Sequence, residues 1–322
     1  AASDVYKRQL GATVPKVNNA DMKAWGFEVE VSWRDRIKDF NYGVKFVLSD
    51  DQRKVTRYPN EELNRNQWYA GRMDGLVWGY ETVGIAKTDA EMEAHLASLP
   101  NGGQSQLGSK WAAGDIMYKD LNGDGKISSG DGTLNDLGDL KVVANTQLRF
   151  KYGLTLDASW KGFDFSAFFQ GVGKRDVVVG GPYFWGANGQ GMWQAAAFKD
   201  HMDYFRPEDT ESVFGPNVDA YYPRVIFGGG SSEGGKNTLT QSRYVQNGAY
   251  IRLKNLQLGY TLPSTITKKF AVNSLRVYVS GDNLWTGTKM RVFDPEVLGS
   301  TGDAGKAYPL ARVWSVCLLY TS

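Results

Sequence analysis

The stretch TQLRFKYGLTLDASWKGFDFSAFFQGV, Thr146–Val172, decides how the rest of the chain is read. Leu148, Phe150, Tyr152, Leu154 and Leu156 alternate with Arg149, Lys151, Gly153, Thr155 and Asp157. A period of two makes a strand with one apolar face and one polar, charged face. After Trp160 the chain turns through Lys161-Gly162, and Phe163, Asp164, Phe165, Ser166 and Ala167 open a second strand. The first strand outruns the usual five or six residues of a soluble strand. It suffices for the roughly 9–11 tilted residues that cross a bilayer. Trp160 and Phe163 flank the turn, where an interfacial aromatic girdle would stand. The alternation predicts Phe150, Leu154 and Phe165 toward lipid, with Arg149, Lys151 and Asp164 toward a lumen. A hairpin of a soluble sandwich fits these residues nearly as well, so the other hairpins decide.

Trp25–Leu48 repeats the pattern. Phe27, Val29, Val31 and Trp33 alternate with Glu28, Glu30 and Ser32; after a polar turn at Arg34–Asp39, Tyr42, Val44, Phe46 and Leu48 alternate with Gly43 and Lys45. Glutamates and a lysine on an inner face are costly to bury in a soluble core without partners, and ordinary in a wet barrel lumen. Tyr250–Leu262 reads as a further strand, a turn begins at Pro263, and Leu275, Val277 and Val279 start the returning strand. Tyr308–Trp314 begins one more. Short connections centred on Arg36, Gly162 and Ser264 alternate with long ones over Ser49–Asn145, Val172–Ala249 and Thr286–Ala307. Up-and-down membrane barrels show this asymmetry, with short periplasmic turns and long outer loops. The expected fold is all-β: a partial up-and-down antiparallel transmembrane β-barrel of about seven strands, with long extracellular loops carrying short helices.

Within the loops, Thr88-Asp89-Ala90-Glu91 forms a capping box for a helix that stops before Pro100. A second helix is expected over Met192–Phe205, ended at Arg206 by Pro207. Gly228–Gly235 reads as flexible. Among 322 residues the net charge is only +2, with pI about 8.4, which gives no electrostatic case for a nucleic-acid partner. No run approaches the roughly 18 apolar residues of a membrane helix, which excludes helical spans only. Ala1–Gln9 (AASDVYKRQ) and Ser315–Ser322 (SVCLLYTS) break the composition of their neighbours and read as non-native additions around a body at Leu10–Trp314. The single cysteine, Cys317, lies in the second, so the body has no disulfide or zinc-thiolate site.

Asp120, Asn122, Asp124, Lys126 and Asp131 match the D-x-N-x-D-G spacing of a calcium loop. Side-chain oxygens come from positions 1, 3 and 5, the carbonyl of Lys126 from position 7, and Gly125 permits the sharp turn. Position 12 is Asp131, shorter than the usual glutamate, and no helices flank the loop. A calcium-stabilised loop and a metal-free Asx-turn loop are the two readings, with calcium expected. The loop aromatics Tyr183, Phe184, Trp185, Tyr221 and Tyr222 are candidates to stack on a ligand such as a sugar ring; packing of the loops on one another is the alternative. His95 and His201 lie in expected loop helices without a nucleophile pattern, and no acid pair is marked as a glycosidase dyad by spacing. Gly171-Val-Gly173-Lys174 is too short for a phosphate loop. No enzyme is indicated.

Five segments together resemble the SusC/RagA family of TonB-dependent outer-membrane transporters. They are GFEVEVSW (Gly26–Trp33), DIMYKDLNGDGKI (Asp115–Ile127), YGLTLDASWKGFDFSAFFQG (Tyr152–Gly171), YIRLKNLQLGYTLP (Tyr250–Pro263) and LRVYVSGDNLWTGTK (Leu275–Lys289). They occur in family order, and the last two are the most family-specific. The resemblance implies the C-terminal part of a plugged barrel of about 22 strands in the Gram-negative outer membrane, in contact with its lipid. It further implies import of oligosaccharides or peptides, a SusD-like lipoprotein partner, and energy from the TonB complex through a region upstream of this chain. It carries over no active-site residue. The competing expectations are a secreted, calcium-stabilised carbohydrate-binding β-domain and a β-rich glycoside hydrolase.

Overall fold

The computed structural model describes residues 18–188, 197–226, 232–298 and 308–321. In chain order the strands are β1 (Asp21–Ile37), β2 (Phe40–Arg57), β3 (Leu76–Tyr80), β4 (Thr82–Ile85), β5 (Ile116–Tyr118), β6 (Leu140–Asn145) and β7 (Arg149–Trp160). They continue with β8 (Phe163–Lys174), β9 (Asp176–Val178), β10 (Val245–Asn247), β11 (Tyr250–Thr261), β12 (Ser274–Thr288) and β13 (Val313–Thr321). Seven of them form one sheet in the order β1-β2-β7-β8-β11-β12-β13, with every neighbouring pair antiparallel. Spatial order follows chain order, so the sheet is an up-and-down meander of the expected kind.

Register shows what this sheet is for. Leu154 stands opposite Phe46 and Phe169, and Trp160 opposite Phe40 and Phe163. Farther along the sheet, Phe165, Leu258, Val279 and Val316 form one row across four strands. Between these rows lie polar ones, such as Asp157, Ser166, Gln257 and Ser280. A one-residue slip would put every apolar side chain on the wrong face, so the two faces specify the pairing. The apolar face is open: Leu258 is 57% exposed and Val316 76%. The buried apolar residues collect instead in the loops, around Ile116, Tyr118, Ile127, Val177, Phe184 and Tyr244. A sheet stable in water would do the reverse. Among the described residues no helix is long and apolar enough to cross a membrane. The 12 residues each of β7, β8 and β11 suffice to cross as tilted strands.

The polar face is populated by ion pairs that bridge strands. Lys45 and Glu30 meet at 2.8 Å, Lys151 and Asp51 at 2.7 Å, and Arg276 and Asp164 at 2.5 Å. The last pair reaches from β12 to β8 over β11. It passes above Gly259, where any Cβ would collide with both charged groups. The β7–β8 turn is a two-residue connection with positive φ at both Lys161 (46°) and Gly162 (91°), matching the right-handed twist of a hairpin.

Several expectations are corrected. The β1–β2 turn is not Arg34–Asp39, because pairing continues to Ile37–Phe40 and leaves only Lys38-Asp39. Phe150 takes φ 55°, and the two-residue alternation ends there. Arg149 therefore leaves the lumen series and joins Asp50, which follows Phe46 and Leu48, through two contacts of 2.5 Å. The Pro263 turn holds two helical turns, Ser264–Thr267 and Lys268–Phe270. The last strand begins at Val313, not at Tyr308, and pairs with β12 through Thr321; Ala1–Gln9 lie outside the described residues.

The long connections fold over one end of the sheet. Far-separated segments pair there as β3–β6, β4–β5 and β9–β10, strands that local alternation did not reveal. Helix α1 (Asp89–Ala97) is capped as expected, with Thr88 Oγ1 accepting from Glu91 N–H at 3.1 Å. The helix expected over Met192–Phe205 falls partly outside the described residues. Its described part holds only a 3-10 turn at Lys199–Met202, because Phe205 and Asp203 give their backbone groups to Tyr222 instead. Within the stretch read as flexible, Ser232–Gly235 is a helical turn.

Candidate functional site

Where the polar face meets the loops, a cleft of about 790 Å³ opens. Its wall is the sheet itself, through Val47, Ser49, Lys151, Phe168, Gln170 and Tyr250. Its roof comes from Asp74, Gln147 and Leu148 on one side and the Pro295–Leu298 segment on the other. Cations of β11 and of the β8–β9 link pin that segment down. Arg175 donates to the carbonyls of Pro295 (3.0 Å) and Leu298 (2.6 Å). Arg252, almost fully buried, meets Asp294 at 2.6 Å and Glu296 at 2.9 Å, while Lys254 meets Glu296 at 2.8 Å. Buried charges of this kind persist only when paired, so the segment is fixed across the mouth of the lumen. The cleft thus offers carboxylates, an ammonium group, amides and the apolar surface of Phe168 and Leu148. That mixture can bind a ligand carrying both charges.

The calcium-loop residues are brought together by their own backbone. Asp120 accepts from Gly123 N–H at 2.7 Å and Gly125 N–H at 2.9 Å, with both glycines at positive φ. Asn122 accepts from Asp124 N–H (3.0 Å) and donates to the Asp124 carboxylate (3.1 Å), which also accepts from Lys126 N–H (3.1 Å). Asp131 turns away to Thr133 N–H at 2.7 Å. A residue outside the motif, Asp139, is buried against the same loop and accepts from Leu121 and Ser128, each at 2.7 Å. Burial pushes the Asp139 carboxyl up. Asp120 is partly desolvated too, yet the N–H groups of Gly125 and Gly123 hold its carboxyl below the ordinary range. Among the described residues no three His, Cys, Asp or Glu side chains converge on a metal position. In this geometry the loop's oxygens are engaged by its own N–H groups, as in an Asx-turn network.

The five candidate aromatics lie in one loop layer. Phe184 is fully buried and packs against Trp185 (4.8 Å between ring centres) and Tyr222 (5.4 Å). Tyr221 contacts Tyr222 at 4.8 Å and carries the Arg291 guanidinium 4.1 Å above its ring. Four of the five therefore build the loop core. Tyr183 is 40% exposed, stacked on Phe198, and it alone of the five keeps an open face. Both histidines serve loop structure: His95 contacts Gln104 at 3.1 Å, and His201 contacts the Phe184 carbonyl at 3.1 Å. Gly171–Lys174 lies within β8.

No local pattern marks the loop layer's central charge cluster. Lys236 is fully buried, 2.9 Å from Asp115 and 3.1 Å from Glu233, with its ammonium 4.5 Å over the Trp111 ring. Asp115, equally buried, also takes Arg224 at 2.7 Å and the Asn237 amide at 2.8 Å. Ser109 donates its hydroxyl and its N–H to Glu233, holding that carboxyl down at about 2. The cluster ties three distant segments into one roof.

An up-and-down sheet with an exposed apolar face, an ion-paired polar face and a folded cap of loops defines a section of an outer-membrane β-barrel wall. No family model matches the chain. It is 27% identical over 293 residues to TonB-dependent receptor P3 of Formosa agariphila, covering 87% of this chain and 26% of that protein. It is 26% identical over 311 residues to TonB-dependent receptor P26 of the same organism, covering 89% and 28%. Among solved structures it is similar to the RagAB peptide transporter, with a TM-score of 0.63 at 22% identity, over 93% of this chain and 29% of that one. The RagAB peptide importer in its 'open-open' state matches with a TM-score of 0.62 at 21% identity, over 94% and 29%. These matches are to TonB-dependent receptors, which are outer-membrane proteins, the group that the SusC/RagA resemblance implied. It spans between a quarter and a third of the length of the curated relatives it matches.

Proposed function

We propose that the complete protein is a TonB-driven importer that takes up short peptides through this barrel, with a SusD-like lipoprotein at its outer face. The observation that carries the reading is the lumenal cleft: a wall of polar strand residues roofed by a segment that Arg175, Arg252 and Lys254 pin across the mouth. Acidic and basic groups side by side suit the two charged ends of a peptide better than a neutral sugar. The likeness to solved structures named as peptide transporters supports the same choice. The exposed ring of Tyr183 supports an oligosaccharide instead and is kept as the second reading. Cells lacking the complete gene, complemented with wild type or with the double variant Asp74→Asn/Lys151→Ala, should be compared for uptake of labelled peptides and oligosaccharides. Peptide uptake lost in the deletion and weakened in the double variant is the expected result. Oligosaccharide uptake weakened by Tyr183→Ala, with peptide uptake unchanged, would transfer the function to the second reading.

A further inference from the structure

On the apolar face, between the short turns and the middle of the sheet, the side chains leave a groove of about 450 Å³. It exists because Ala158 is small: in its row it stands between Tyr42 and Phe165, so the surface dips there. Trp160, Phe163 and Tyr260 wall the groove on the turn side, with the Phe163 and Tyr260 rings 4.5 Å apart. Leu258 and Val279 continue it toward the middle of the sheet. The groove crosses β7, β8, β11 and β12, so a strand added beside β1 or β13 would not cover it. The loop layer lies at the other end.

The rim has a definite charge. At this edge of the sheet the end of β1 with its turn (34–39), the β7–β8 turn (161–162) and the β11–β12 connection (262–273) carry Arg34, Arg36, Lys38, Lys161, Lys268 and Lys269 against Asp35 and Asp39. Lys161 adjoins the groove at the β7–β8 turn. Its ammonium sits 5.5 Å over the ring of Trp160, which lines the groove, and its anionic partner is the exposed Asp39 at 3.9 Å. A pair so exposed holds its lysine weakly, leaving the ammonium available to a stronger anion at the interface.

We propose that this groove is a phospholipid site: one acyl chain of an anionic phospholipid lies over Ala158, and its phosphate is held by Lys161. Apolar depth and cationic rim meet at one edge of the sheet, which matches a lipid with a charged headgroup and a long chain. The aromatic wall places that edge at the membrane interface. The inference depends on the outward direction of this face and not on what the barrel transports.

The test is native mass spectrometry of the complete receptor in mixed micelles with phosphatidylglycerol or phosphatidylcholine. Heat-modifiable gel mobility checks that each variant is folded. Phosphatidylglycerol should be retained about fivefold more than phosphatidylcholine, the equivalent of the ~1 kcal/mol that one surface lysine contributes toward anionic lipid. Lys161→Glu should remove that preference, and Ala158→Trp, which fills the groove, should reduce retention of both lipids. Equal retention of the two lipids by wild type, or an undiminished preference in Lys161→Glu, would overturn the site. Should Ala158→Trp fail to fold, Lys161→Glu on an exposed turn still decides.

Discussion

Leu154→Arg against Lys151→Leu separates a lipid-facing position from a lumen-facing one only three residues away on the same strand. Leu154 stands in the apolar row between Phe46 and Phe169, so an arginine there would face hydrocarbon. Near the midplane such a charge costs about 2–4 kcal/mol in a membrane barrel. At ~1.4 kcal/mol per tenfold this is roughly a 30- to 700-fold shift in the folding equilibrium. Lys151→Leu removes only the pair with Asp51 at 2.7 Å, whose two side chains are both nearly half exposed. Pairs of that exposure contribute about 0–1 kcal/mol. The assay is urea-dependent folding of the complete barrel into lipid vesicles, read by the heat-modifiable band on a gel. Leu154→Arg should lower the folded fraction far more than Lys151→Leu. Equal losses, or a larger loss from Lys151→Leu, would refute the assignment of the two faces.

Gly171→Ala should destabilise the barrel by about 1–3 kcal/mol, because a Cβ there collides with the Tyr250 carbonyl and the Tyr152 ring; Gly84→Ala, with nothing nearer than Met117 at 3.8 Å, is the neutral control in the same melt. Lys236→Met should loosen the loop roof by about 3–5 kcal/mol, as expected when one partner of a buried pair is removed, and limited proteolysis should then cut within the loops while the barrel band survives. The Glu233 carboxyl ordinarily titrates near 4.5 and is held at about 2 in the fold. Its contribution to the roof is therefore complete above about pH 4.5 and lost as pH falls toward 2; Glu233→Gln should flatten this acid-dependent loosening, measured by hydrogen exchange at pH 3 and 6. The proposal that the Asp120–Asp131 loop takes up a structural calcium ion expects a calorimetric heat that Asp124→Ala abolishes, and an unchanged isotherm in that variant leaves the Asx-turn network alone.

Period two made the barrel legible. Leu154, Phe165 and Leu258 each fall in a pattern that a strand alone can use, and the short turns sit between patterns of matching phase. What local pattern cannot carry is any event that breaks the period or joins distant segments. The positive φ of Phe150 reversed the phase and took Arg149 to Asp50, yet nothing in LRFKY marks it. β3 pairs with β6 about sixty residues away, and five residues of each are too short to show a period. Lys236 follows a glycine-rich stretch that reads as flexible, and only its meeting with Asp115 explains its burial. The aromatics were visible as a group, but their division into the packed Phe184, Trp185 and Tyr222 and the open Tyr183 depends on tertiary contacts. Residues 315–321 stand apart by composition, and Val316, Leu318 and Tyr320 fall in the register of the apolar face.

One face of this sheet meets lipid and the other meets water. A nitroxide scan along residues 152–160 of the complete receptor in bilayers tests it most directly, through accessibility to oxygen and to a water-soluble nickel chelate. A two-residue oscillation is expected, with oxygen maxima at Leu154, Leu156 and Ala158 and chelate maxima at Gly153, Thr155 and Asp157. A flat profile, or the opposite phase, would contradict it.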